Sequence, residues 1–185
     1  MRRLFWLLAL PLLPACLSLD AMGPAPTEEE ESTPSSSATL GKYEVTATLK
    51  SQSCGTGTLE LPETLAFVVE LSSDGDDVLT WGEGGLALTG KLDSDGLGFS
   101  VSTSSVVDAR AGSMNENAPP CRIERGDSIE GELDQAEEPE AFTANLEITY
   151  DPEAGSDCRD LLFGPDRLVQ ALPCKAKYSL KGDRK

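Results

Sequence analysis

Four cysteines, Cys54, Cys121, Cys158 and Cys174, follow a fifth at Cys16, and the chain contains no histidine. Without imidazole the commonest general base and the commonest metal ligand are both missing. No C-x-x-C pair supplies a thiolate zinc site, and no serine stands three residues before a lysine to make a local Ser–Lys dyad. Carboxylates remain. Glu130 and Glu132 share one face of a strand pattern, as a two-carboxylate hydrolase requires, but among 32 acidic residues such pairs arise from composition alone. Asp93, Asp95 and Gly96 in "DSDG", and Asp74, Asp76 and Asp77 in "SDGDD", are fragments of a calcium loop. A full loop needs a third ligand before its glycine and a later bidentate glutamate, so both fragments read as hairpin turns. "GTGT" at Gly55 and "GEGG" at Gly82 lack the lysine and the helix start of a phosphate loop and also read as turns. Trp81 sits at the end of a strand pattern, placed either to cap the core or to line a barrel mouth and stack on a ligand. No catalytic residue, metal or cofactor is assigned, and the expectation is a protein that is not an enzyme.

"GDSIEG", Gly126 to Gly131, resembles the opening block of the GDSL-type hydrolases, whose serine is the nucleophile. That family places the block near the start of an α/β domain and uses a C-terminal histidine as base. Neither condition is met, and Ser128 reads as the end of a turn before a strand from Ile129 to Leu133.

The N-terminus carries an address. Arg2 and Arg3 precede an apolar stretch, Leu4 to Leu13, too short for the roughly twenty residues a spanning helix requires and therefore a signal peptide. Leu13-Pro14-Ala15-Cys16 resembles the lipobox of bacterial lipoproteins. The resemblance implies cleavage before Cys16, lipidation of its thiol and a membrane anchor; Leu17, in place of an aspartate, implies the outer membrane. Ordinary secretory cleavage after Ser18 is the alternative and removes Cys16 as well.

Either cleavage leaves the other four cysteines. An even number in an exported chain reads as two disulfides with three connectivities open. Cys158 with Cys174, and Cys54 with Cys121, is the expected pairing, because the first bridge clips a compact C-terminal segment, a loop worth about 3 kcal/mol on the chain-entropy argument.

The acidic balance sharpens once the leader is gone. Without Arg2 and Arg3 the 15 basic residues become 13 against 32 acidic ones, a formal net of −19. Such a charge disfavours nucleic acid and anionic lipid and attracts cationic proteins or peptides.

These residues need elements to hold them. Residues 16–40, with Glu28 to Glu31 amid Ser, Thr and Pro, bury too little apolar area to offset the entropy of ordering and are expected to form a disordered tether. From residue 41 to 185 the periodicity is two. Tyr43, Val45, Ala47 and Leu49 alternate with polar residues, as do Leu65, Phe67, Val69 and Leu71; Leu86, Leu88 and Leu92; Phe142, Ala144, Leu146, Ile148 and Tyr150; and Ala176, Tyr178 and Leu180. Weaker patterns cover Val78 to Trp81, Gly98 to Val107, Cys121 to Glu124 and Ser128 to Leu133. A short helix is expected over Pro165 to Leu172, opened by Gly-Pro. About eight antiparallel strands with one buried face each predict an all-β domain, an up-and-down, lipocalin-like barrel or a two-sheet sandwich. The barrel is preferred because pairing the first strand with the last removes exposed edges.

The expected function is a monomeric binding or structural module of the cell envelope that engages a cationic protein. The second reading is a lipocalin-like carrier with an apolar small molecule inside its barrel. In general organisation the chain is similar to small barrel lipoproteins that inhibit cationic hydrolases.

Overall fold

The structure is a computed structural model that describes residues 37–75, 78–110 and 119–185. The leader, Cys16, the tether up to residue 36, and Asp76 and Asp77 lie outside the described residues.

Alternation of period two puts one face of each strand in a common interior. The strands β1 (Ser37–Gln52), β2 (Thr64–Asp74), β3 (Val78–Glu83), β4 (Leu86–Leu92), β5 (Gly98–Asp108), β6 (Arg122–Leu133), β7 (Ala141–Pro152) and β8 (Cys174–Arg184) follow one another in an antiparallel closed barrel. β1 closes it on β8, from Tyr43 opposite Arg184 to Gln52 opposite Ala176, with a register shift between Leu49 and Ser51. Closure satisfies the backbone edges that a sandwich leaves open. β1 begins at Ser37, inside the stretch assigned to the tether, because residues 37–39 pair with β2 ahead of a register shift at Gly41.

One end of the barrel is packed shut by rings. Phe142 lies edge-on to Tyr43, Trp81 and Phe99 at centroid distances of 5.3, 5.8 and 5.8 Å. Room for them comes from inward glycines. Gly182 is paired with Phe142, and a Cβ there would stand 2.2 Å from that ring; a Cβ on Gly131, paired with Phe99, would stand 2.5 Å from Phe99. The fully buried Tyr43 hydroxyl donates to the Pro139 carbonyl at 2.8 Å, tying the β6–β7 loop across this end.

Three further sequence expectations change. The separate strand patterns at 121–124 and 128–133 are one continuous strand, β6, in which Ser128 is exposed and lies between Asp127 and Ile129 rather than at a turn. The helix over Pro165–Leu172 does not form; among the described residues the one helical element is a 3-10 turn, Arg159–Leu162. Residues 165–172 instead run beside the β1–β2 loop, where the Thr58, Leu59 and Gln170 amides donate to the Arg167, Leu168 and Cys54 carbonyls. That contact is close enough that a Cβ on Gly57 would meet the Leu168 carbonyl oxygen at 2.0 Å.

The third correction is the disulfide pairing: the bridges are Cys54–Cys174 and Cys121–Cys158. Adjacency in the barrel decides it. Cys54 leaves β1 where Cys174 enters β8, its neighbour, and Cys121 enters β6 beside the loop that leaves β7.

Candidate functional site

The other end of the barrel is incomplete on one side. The β3–β4 hairpin turns at Gly84 and Gly85, both at positive φ (56° and 89°), the backbone that a tight two-residue hairpin needs and that glycine adopts without strain. The hairpin is shorter than its neighbours. β2 pairs with β3 only from Val69 to Ser73, so Thr64–Val68 run past the hairpin tip. β4 pairs with β5 at just three positions, Gly90 with Val101, Lys91 with Ser100 and Leu92 with Phe99. Beyond them, Leu86–Thr89 of β4 and Ser102–Asp108 of β5 have no ladder partner on their facing edges among the described residues.

The pairing stops where the interior turns polar. Val101 is the last apolar inward residue of this part of β5 before Thr103 and Ser105. On β6 the register sets Asp127 beside Thr103 and Arg125 beside Ser105, and on β7 it sets Ile148 beside Asp127 and Tyr150 beside Arg125. Arg125 and Asp127 therefore occupy the same inward row as Ile123 and Ile129, which are both buried. Zipping β4 over them would strip a charge pair and two hydroxyls of water, a desolvation cost that ion pairing rarely recovers in full.

What results is a slot in the barrel wall of about 860 Å³, within the range of small-molecule pockets. Leu65, Phe67, Leu86 and Leu88 form its β2 and β4 side, Ser102, Thr103 and Ser105 its β5 side with Glu83 at the hairpin tip, and Trp81, Val101, Ile129, Leu146 and Ile148 its floor. Two leucines on the lining are exposed, Leu86 62% and Leu65 37% accessible, beside the exposed Ser102, Thr103 and Ser105. On the floor the Arg125 Nε donates to Asp127 Oδ1 at 2.9 Å, and the two side chains remain 45% and 24% accessible. Burial raises the Tyr150 phenol above its ordinary range, partly opposed by the Arg125 charge and reinforced by Asp127.

Trp81, singled out from the sequence, packs in the core and also belongs to the lining of the slot. It is 1% exposed and lies against Phe142 and Phe99. The four cysteines lie toward the same end as the slot, one bridge joining the segment after β1 to the start of β8 and the other the start of β6 to the segment after β7. Of the other sequence candidates, the "GEGG" turn contributes Glu83 and Gly84 to the lining, while the candidate carboxylates stand apart from it. Glu130 and Glu132 are exposed on the outer face of β6, while Asp95 accepts the Leu97 amide at 2.9 Å within its own hairpin turn. Among the described residues no group of three acidic, cysteine or histidine side chains is placed to hold a metal ion.

Sequence reasoning missed Arg125, Asp127, Thr103 and Ser105. The signal was present as a defect: charges two apart where the alternation of β6 calls for apolar residues, which read as a break between two strands. The chain matches no protein-family model, no curated protein and no solved structure.

Proposed function

We propose that this is a non-enzymatic binding protein of the bacterial envelope that holds one small, mainly apolar molecule in the slot between β4 and β5. The observation that carries the reading is a cavity of about 860 Å³ with apolar β2 and β4 walls, a hydroxyl-bearing β5 wall and a charge pair inside, its opening flanked by the exposed Leu65 and Leu86. An opening of this kind exposes leucines to water and leaves strand edges unpaired. Both cost stability, and a ligand that covers them offsets that cost. Placement in the envelope is supported by the leader and by the lipobox-like Leu13-Pro14-Ala15-Cys16, with residues 16–36 as the tether between lipid and barrel.

Native mass spectrometry of the protein extracted from its own membrane tests this. A mass in excess of the lipidated, disulfide-bonded chain that survives gentle ionisation and is lost on denaturation is expected. A bare barrel whose Trp81 emission also ignores apolar probes would count against the reading.

A second reading, engagement of a cationic protein, is favoured by the outer face of β6. There Glu124, Glu130 and Glu132 are exposed with no basic partner among the described residues. Such binding would weaken steeply with salt. Occupation of the slot would not.

A further inference from the structure

We infer that the slot selects a molecule with an apolar body and a neutral head that both accepts and donates hydrogen bonds, of which a primary amide is the best match. The inference rests on the binding reading above and adds the chemistry of the ligand.

Arg125 and Asp127 are bound to each other through Nε and Oδ1. This bond engages one N–H of the guanidinium and one carboxylate oxygen, leaving the Nη groups of Arg125 as donors and Oδ2 of Asp127 as an acceptor. Both side chains belong to the lining of the slot and keep partial access to water. The polar floor therefore presents donors beside an acceptor, with no net charge.

Heads of different charge meet this floor differently. A carboxylate gains the Arg125 donors but faces the Asp127 charge, with Glu83 also on the lining and a chain of formal net charge −17 around it. An ammonium meets Asp127 but faces Arg125. An amide has one face for each partner: its carbonyl accepts from Nη and its N–H donates to Oδ2. Hydrogen bonds to ionised partners are the stronger kind, and an apolar environment sharpens their selectivity. A plain alkyl end displaces water from both charges and returns nothing to them. The body then lies against Leu65, Phe67, Leu86, Leu88, Leu146 and Ile148.

The test is calorimetric titration of the full-length processed protein with alkyl chains of one length ending in a primary amide, a carboxylate, an ammonium or a methyl. The amide is expected to bind about tenfold more tightly than the others, the effect of one well-placed hydrogen bond to a charged group. In Asp127→Asn the Arg125 charge loses its partner, and the carboxylate is expected to overtake the amide. Equal binding of all four probes, or a carboxylate that already binds most tightly to the unaltered protein, overturns the head-group inference and leaves the slot as a binding site. Failure of every probe to bind folded protein removes the binding reading itself. The comparison among probes on the unaltered protein decides the matter even if Asp127→Asn does not fold.

Discussion

Tyr43, Tyr150 and Tyr178 are the three tyrosines of the chain, and all point into the barrel. Burial raises the pKa of each above the ordinary 10.0, because the low-dielectric interior penalises the phenolate. A raised pKa means that the fold binds the phenolic proton more tightly than the unfolded chain does. The stabilisation is complete below the unfolded value and disappears as pH rises through the folded one. Tyrosinate absorbance is therefore expected to lag behind pH 10.0 and to appear together with loss of the β-sheet circular dichroism signal. Titration near 10 with the fold intact would contradict this burial. The same scale shows why Arg125 and Asp127 were hard to read in advance. A charge at an inward position is indistinguishable in sequence from a charge in a turn until the strands on either side fix the register.

Among the elements, the strands with strong alternation, β1, β2, β4, β7 and β8, were legible because their inward rows are apolar almost throughout. β6 was read as two pieces because its inward row runs Ile123, Arg125, Asp127, Ile129. The 165–172 segment looked helical on a local signal, Gly-Pro, yet the Arg167 and Leu168 carbonyls and the Gln170 amide are taken by residues 54–59, a partner more than a hundred positions away in sequence. Distance along the chain also misled the disulfide assignment. The bridges close stretches of 120 and 37 residues, for which the chain-entropy argument gives about 5 and about 4 kcal/mol respectively. Replacing Cys54 and Cys174 together by serine is thus expected to lower the unfolding free energy at least as much as replacing Cys121 and Cys158. Urea denaturation of the two double variants checks it, and a clearly larger loss from the Cys121/Cys158 variant would oppose the assignment of the longer bridge as the greater constraint.

For the molecule as a whole, charge and closure act against each other. The formal net charge is −17 and the sequence pI about 4.2, so the folded state carries its own repulsion at neutral pH, and the ion pairs among the described residues lie mostly at the exposed surface, where each contributes little. Raising ionic strength from about 0.01 to 0.15 M shortens the screening length from about 30 to 8 Å. The melting temperature is expected to rise across that interval; a fall would mean that the surface ion pairs outweigh the repulsion. The all-β class, an antiparallel arrangement of about eight strands and the participation of all four cysteines in bridges were determined by the sequence alone, because period-two alternation and an even cysteine count are local or compositional properties; that two of the patterns are one strand was not. The slot, its ion pair and the pairing of the cysteines were decided only by the tertiary structure. Each depends on which strands become neighbours and in what register, and that is settled by the closure of the whole barrel.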